Sequence, residues 1–268
     1  MAARAASQVS PERSWGLAPY ALAGSALCWV ATLWWAQASG MGAMPGTMGM
    51  SVAAFIAMWA LMMAAMMLPS VWPFVAVYSR TVVERRAWRL GQLAAGYLLT
   101  WTLTGVVAYL VAGLFGWLAD GRPTAARLTA VAVFAVAGVY QLSPLKYRCL
   151  SHCRTPISHL FHYGGFRGRW RDLRAGASHG FYCLGCCWAL MLVMVALGVM
   201  NVSAMVGLAV VIALEKMWRH GERLARLVGV AALLWAVAIA ASPRLAPGLD
   251  PAATMTDMQM PMTGAAGG

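Results

Sequence analysis

Soft sulfur side chains recur at helical spacing in the apolar stretch "YCLGCCWALMLVM", which holds Cys183, Cys187, Met191 and Met194. In an α-helix these positions lie within an arc of about 80° and rise about 16 Å along the axis. Thiolate and thioether sulfur are the donors that select Cu(I) among biological metal ions. Two kinds of soft ligand therefore share one face of this predicted helix, and Cys186 at its side completes a Cys-x-x-Cys pair.

A second cysteine motif, "KYRCLSHCRTP", contains Cys149, His152 and Cys153. The two cysteines are one helical turn apart, and the histidine is adjacent to the second. This motif follows the fourth apolar span, and the first motif opens the fifth span, so both lie at the same membrane face. We expect the cysteines of the two motifs to form one cluster on the cytoplasmic side, where thiols stay reduced.

Three interpretations of this cluster are open. A structural zinc site would use Cys149, Cys153, Cys183 and Cys186, whose paired spacing resembles that of zinc fingers. A redox dithiol would use Cys183 and Cys186 alone. A Cu(I) site would use the thiolates together with the methionines above them, and it alone explains why soft ligands continue along the helix. Basic neighbours would lower the thiol pKa values in each case, namely Lys146, Arg148 and Arg154.

Methionines also form a ladder in the second apolar span, which reads "MWALMMAAMM". Met58, Met62 and Met66 follow an i, i+4, i+8 pattern and climb about 12 Å on one face, while Met63 and Met67 lie on an adjacent face. Packing is the competing explanation, because Met commonly fills gaps between helices. If the ladder binds metal, we expect Met62 and Met66 to be the most sensitive to substitution, since they lie at the height of Met191 and Met194 in the fifth span.

Further methionines fall in polar segments that have no packing use for them. They lie in the loop "GMGAMPGTMGM" and the tail "TMTDMQMPMTG", at Met41, Met44, Met48, Met50, Met255, Met258, Met260 and Met262. Thioethers remain available as ligands in an oxidising compartment, where thiols do not. Both segments are therefore predicted to capture copper outside the cell membrane.

These residues must be positioned by membrane helices, because the chain is 61% hydrophobic and only 10% charged, against about 25% charged residues in soluble domains. Seven stretches approach the length of about 20 residues that crosses a membrane. They cover residues 17–36, 50–68, 92–118, 128–145, 182–199, 203–215 and 227–241. The predicted fold is an all-α, multi-pass membrane helix bundle, with a turn near Asn201 between the fifth and sixth spans.

The net charge of the chain is +12, and the positions of its basic residues indicate the membrane topology. Of the 20 Lys and Arg residues, 17 fall in segments 1–16, 79–91, 146–180 and 216–226. The positive-inside rule then places the N-terminus in the cytoplasm and the C-terminus outside. We therefore expect the protein to lie in the inner membrane of a bacterium, in contact with membrane lipid, and to have no nucleic-acid partner.

The domain organisation follows from the same pattern. Residues 1–16 form a cytoplasmic N-terminus, and residues 17–241 form the transmembrane bundle, which includes a basic cytoplasmic Cys/His loop at 146–180. The segment 242–268 is a Met-rich extracytoplasmic tail with too little apolar bulk to fold alone, so we expect it to be disordered until it binds a partner.

The motifs "MWALMMAAMMLPS", "KYRCLSHCRTP" and "YCLGCCWALM", followed by "GVMN" and the pair Glu215-Lys216, resemble a bacterial family of unknown function described as predicted metal-binding integral membrane proteins. The resemblance covers most of residues 50 to 216, and its paired cysteine motifs are specific. It implies a multi-helix membrane protein with a metal role, but it names no ion, reaction or direction. The spacing from Met58 to Met62 is also similar to the pore motif of eukaryotic copper transporters.

The sequence argues against several other classes of protein. It has no phosphate-binding loop of the Gly-x-x-x-x-Gly-Lys-Ser/Thr type, which argues against a nucleotide-driven pump. No histidine lies in a predicted apolar span, since His179 is assigned to a solvated loop, and this argues against a membrane haem protein. The acidic residue nearest the membrane interior is Glu215, which we expect to pair with Lys216 and Arg219. An enzyme is therefore not expected.

Three hypotheses of function follow from the ligands. The first is a protein that binds Cu(I) and translocates it toward the cytoplasm through Met and then Cys ligands. The second is a membrane-bound copper chaperone or assembly factor that serves a periplasmic copper protein without net transport. The third is a membrane protein with a structural zinc site or a redox dithiol, in which the methionines only pack.

Overall fold

The computed structural model describes residues 18–39, 46–82, 84–154, 165–242 and 245–249. Within these ranges the chain forms eight α-helices and one 3-10 helix and has no β-strand. The helices are α1 (Ala18–Ser39), α2 (Val52–Thr81), α3 (Arg86–Gly121), α4 (Pro123–Leu142), α5 (Pro144–Arg154), α6 (Arg171–Ala196), α7 (Val202–Met217) and α8 (Gly221–Ala241), and the 3-10 helix spans Pro247–Leu249. The all-α prediction is confirmed over the described residues.

Among the described helices, five are long and apolar enough to cross a membrane, namely α2, α3, α4, α6 and α8. Helix α1 has 22 residues and α7 has 16, and neither is in this group. The chain is therefore compatible with a multi-pass membrane protein. The count of seven crossings and the orientation remain predictions.

The chain breaks between α6 and α7 near Asn201, as the sequence predicts. Gly198 takes a φ of +97°, a left-handed conformation that glycine adopts without steric cost. The side chain of Asn201 then accepts a hydrogen bond from the backbone N–H of Ala204 at 3.1 Å, which caps α7. One turn and one cap thus divide the long apolar stretch into two helices.

Helix α6 packs against α3, α4 and α5, and its contact with α3 is the most extensive of the three. A Cβ atom added to Gly176 would lie 1.9 Å from the carbonyl oxygen of Leu93, and one added to Gly96 would lie 2.0 Å from that of Leu173. The backbones of the two helices are therefore in direct contact, which small residues permit in membrane bundles. Helix α7 packs against α2, α5 and α6.

The segment 146–180 is helical over much of its length, although we expected a loop. Helix α5 continues to Arg154 and α6 begins at Arg171. Residues 155–164 lie outside the described residues, as do residues 1–16, 40–45 and 250–268. The predicted N-terminal segment and most of the tail therefore stay predictions, while Ala246 and Leu249, at the start of the tail, are buried in the core.

Candidate metal site

Three cysteines of α6 are buried, namely Cys183, Cys186 and Cys187, each with 1% of its surface exposed. The thiols of Cys186 and Cys187 donate hydrogen bonds to the carbonyl oxygen of Cys183, at 3.1 and 2.9 Å. Each of these two thiols therefore points back toward the preceding turn, as side chains on a helix do.

Helix α5 brings its two cysteines against α6. The sulfur of Cys153 lies 3.9 Å from that of Cys186, and Cys153 is itself buried. The half-buried Cys149 packs at Gly185, where an added Cβ atom would lie 2.9 Å from its sulfur. The structure thus brings together cysteines from the two motifs. Their role as metal ligands remains a prediction.

His152, the remaining candidate on α5, is half-buried. Its Nδ1 lies 2.8 Å from the carbonyl oxygen of Arg148, and its ring stacks on that of Tyr182 with centroids 4.1 Å apart. Among the described residues, no three His, Cys, Asp or Glu side chains are grouped closely enough to hold a metal ion together. The proposed ligand role of His152 stays a prediction.

Lys216 is a candidate functional residue that the sequence patterns did not indicate. Its ammonium nitrogen donates hydrogen bonds to the sulfur of Cys183 at 2.9 Å and to the hydroxyl of Ser70 at 3.3 Å, and the lysine is buried. The hydroxyl of Tyr97 lies 3.0 Å from the same sulfur. A positive charge and a polar hydroxyl therefore converge on one thiol, and an ammonium group is a suitable countercharge for a thiolate.

The predicted pairing of Glu215 with Lys216 and Arg219 is wrong. Glu215 instead accepts a hydrogen bond from the ammonium of Lys146 at 2.6 Å and another from the amide of Gln141 at 2.8 Å. The two ionic side chains are 0% and 2% exposed. Because Lys146 lies on α5, just before its two cysteines, this buried ion pair connects α5 to the end of α7.

A second contact strengthens this attachment. The guanidinium group of Arg154 donates hydrogen bonds to the carbonyl oxygens of Glu215 at 2.6 Å and Trp218 at 2.8 Å. Carbonyl groups at the end of a helix have no partner within the helix, and a basic side chain satisfies them. Two of the three Lys and Arg residues of α5 thus bind the end of α7.

The expected lowering of thiol pKa by these basic residues does not hold for Cys149. Burial raises the pKa of the Cys149 thiol above its ordinary value, and the nearby sulfur of Cys186 adds to the effect. Two of the three cations that were expected to act on it are engaged elsewhere, since Lys146 pairs with Glu215 and Arg154 binds backbone carbonyls.

The methionine ladder of α2 is entirely buried. The exposed fraction is 1% or less for each of its members, namely Met58, Met62, Met63, Met66 and Met67. The methionines of α6, Met191 and Met194, are buried in the same continuous core as the cysteines. Burial is the same on both faces of the ladder, so it does not distinguish ligation from packing.

Two further expectations change at the edges of this core. His179, expected in a solvated loop, is 3% exposed and stacks on Phe74 with ring centroids 3.9 Å apart. Of the methionines in the predicted outer loop, Met48 and Met50 are half-buried against the core. The others, and all those of the tail, lie outside the described residues.

The donor set suits a soft monovalent ion. With metal–sulfur bonds of about 2.3 Å, the length of zinc–thiolate bonds, one ion could reach both sulfurs of the Cys153–Cys186 pair. Thiolates and thioethers bind Cu(I) in preference to hard cations. The residues present therefore fit copper as a cargo, with Lys216 beside them as a fixed positive charge.

A family model described as PpoB2, copper chaperone, matches residues 56–239. The matched range includes the methionine ladder, both cysteine motifs and Lys216. No curated protein and no solved structure matches the chain. The family description agrees with the metal role that the motif resemblance implies, and it names copper. Because the match covers more than half of the sequence, the chain belongs to the PpoB2 family, which is described as copper chaperone.

Proposed function

We propose that the protein is a membrane-bound copper chaperone that holds Cu(I) on the buried cysteines of α5 and α6. The observation that carries this proposal is the contact between the ammonium of Lys216 and the sulfur of Cys183, at 2.9 Å within the apolar core. A charged group inside a membrane protein is costly unless it is paired, and such groups mark functional sites. A buried ammonium beside a thiol is therefore best explained by a thiol that works as an anion.

Charge balance favours a monovalent cargo. A Cu(I) ion held by two thiolates forms a complex of charge −1, which the ammonium of Lys216 neutralises. A divalent ion on the same two thiolates would form a neutral complex and leave the ammonium without a countercharge. Because an uncompensated buried charge is strongly destabilising, the lysine would help the site to prefer Cu(I) over Zn(II).

Inward translocation of Cu(I) is the second candidate, and it rests on the position of the methionine ladder in the bundle rather than on its burial. Neutral thioethers from Met58 to Met66 lie in the same core as the cysteines, so sulfur ligands are available along the bundle. Thiolates bind Cu(I) more tightly than thioethers, so affinity would increase toward the cysteines. The membrane potential would add about 2.3 kcal/mol per charge for each 100 mV.

We infer a seven-span topology in the bacterial plasma membrane, with the N-terminus inside and the cysteine cluster at the cytoplasmic end. Two of the 17 basic residues on the inner side, Lys146 and Lys216, are buried in the bundle, and the other 15 still outnumber the three outside. Helix α7 would be about 24 Å long, shorter than a hydrocarbon layer of about 30 Å. Local thinning of the bilayer accommodates such a mismatch.

Metal analysis of the purified protein tests the copper proposal. After loading with Cu(I) or Zn(II) and removal of excess metal, we expect Cu(I) to be retained. Cys183→Ser should lose it, whereas Cys28→Ser, on α1, should behave as the unmodified chain. Zinc retained at one ion per chain and unaffected by a Cu(I) chelator would instead support a structural zinc site.

Deletion of residues 251–268 separates the chaperone from the transporter. If the tail passes copper to a periplasmic copper protein, the deletion should reduce metallation of that recipient while total cell copper stays unchanged. If the protein moves copper inward, the deletion should lower cell copper instead. The Cu(I) content of the purified truncated protein shows whether the membrane site itself is intact.

A further inference from the structure

The N-terminal ends of α3 and α6 enclose a basic pocket that takes no part in the proposed copper site. Its volume is about 730 Å³. The side chains that line it include Arg85, Arg89, Arg169, Arg171, Gln92 and Asp172. Four arginines and one carboxylate thus line the pocket.

That carboxylate is already fully engaged. Arg89 binds both oxygens of Asp172, with Nε and Nη2 each 2.9 Å away. The hydroxyl of Tyr78 also donates to Asp172, and Nε of Arg171 lies 3.8 Å from it. The pocket therefore keeps a net positive charge after its internal ion pairs are formed.

One hydrogen-bond donor in the pocket wall also lacks an acceptor. Gln92 is 5% exposed, and its Nε2 has no hydrogen-bond partner among the described residues. Buried amide groups are normally paired, so an unpaired one in a pocket wall points to a ligand. Both helices begin here without a side-chain cap, at Arg85 and Trp170, and free N–H groups at a helix start attract anions.

The position of the pocket points to lipid. Trp88 and Trp170 beside it are 57% and 52% exposed, and tryptophans with such exposure are typical of the headgroup level of a membrane. In the proposed topology this end of the bundle faces the cytoplasm, where basic pockets between helices bind anionic headgroups. We propose that this pocket binds the phosphate group of an anionic phospholipid. Arginine forks match phosphate oxygens in geometry and charge.

Thermal unfolding and native mass spectrometry of the full chain in detergent test the proposal. The probes are phosphatidylglycerol, phosphatidylcholine and inorganic phosphate. We expect phosphatidylglycerol to raise the unfolding temperature and to bind at least tenfold more tightly than phosphatidylcholine. Equal binding of the two lipids, with no effect of inorganic phosphate, would overturn the proposal. If inorganic phosphate raised the unfolding temperature as much as phosphatidylglycerol does, the phosphate site would be supported, but its ligand would be a soluble phosphate compound and not a lipid.

Variants locate the effect. The double variant Arg85→Gln/Arg169→Gln removes charge while leaving the Arg89–Asp172 ion pair in place, and it should lose the tenfold preference. Arg122→Gln/Arg127→Gln is the charge-matched control, because both of these exposed arginines lie near the opposite end of α3. An Arg85→Gln/Arg169→Gln variant that keeps the preference would contradict the assignment. Cu(I) retention should be unchanged in all of these variants, so failure of this inference is distinguishable from failure of the copper proposal.

Discussion

The ammonium nitrogen of Lys216, on α7, lies 2.9 Å from the sulfur of Cys183, on α6. The same nitrogen donates to the hydroxyl of Ser70, on α2, at 3.3 Å, and that hydroxyl lies 4.0 Å from the sulfur of Met67. The buried side chain of Lys216 thus connects α2, which carries the methionine ladder, with α6, which carries Cys183. An ion that moves between thioether and thiolate ligands would pass close to this positive charge.

Replacement of Lys216 should weaken copper binding. In Lys216→Gln the thiolate complex loses its countercharge, so we expect Cu(I) affinity to fall at least tenfold, equivalent to about 1.4 kcal/mol. Lys216→Arg keeps the charge and should retain most of the affinity. Competition between the purified protein and a Cu(I) chelator measures the change.

Arg219→Gln is the control for this experiment. It removes the same charge from an exposed position three residues further along. We expect no change in Cu(I) affinity, because exposed charges are screened by solvent. Equal losses in the two variants would show that Lys216 acts only through the overall charge of the protein.

The ladder on α2 offers an internally matched comparison. We expect Met62→Leu and Met66→Leu to reduce Cu(I) binding or passage, because they remove a thioether and preserve volume. Met63→Leu should be milder, since Met63 is equally buried but lies on the adjacent face. Leucine in place of methionine costs less than about 1.5 kcal/mol of stability at most core sites. Copper retention and unfolding temperature, measured together, separate ligation from packing, and equal copper losses in all three variants would favour packing.

The contact between α3 and α6 should tolerate no side chain at Gly176. An added methyl group would lie 1.9 Å from the carbonyl oxygen of Leu93, so Gly176→Ala must push the helices apart, at a cost of about 1–3 kcal/mol. Gly91→Ala, on α3, meets nothing within 4 Å and should leave stability unchanged or raise it. Unfolding temperatures of the two variants in one detergent provide the comparison, and similar values would contradict the close contact.

The sequence predicted the helices better than the polar contacts between them. Apolar windows located the long helices, and the polar Asn201 marked the break between α6 and α7. The same windows excluded His179, because they begin the fifth span at residue 182 whereas α6 begins at Arg171. A helix extends beyond its apolar stretch when neighbouring helices bury its polar residues, and this burial depends on tertiary packing.

The partner of Glu215 illustrates the same limit. Nearby residues in the sequence, such as Lys216, are plausible partners by spacing alone. The observed partner, Lys146, is 69 residues away and reaches Glu215 only because α5 packs against α7. Lys216 is thereby left to contact Cys183, which no sequence spacing could predict.

The Lys146–Glu215 pair should act as a unit that stabilises the position of α5. Removing one partner leaves the other charge buried, so Lys146→Met and Glu215→Gln should each cost about 3–5 kcal/mol. The double variant removes both charges and should recover much of this loss, which a double-mutant cycle on unfolding free energies would measure. Because α5 carries Cys153, each single variant should also lower Cu(I) retention, and the double variant should restore part of it. Additive losses in the double variant would show that the two side chains do not interact.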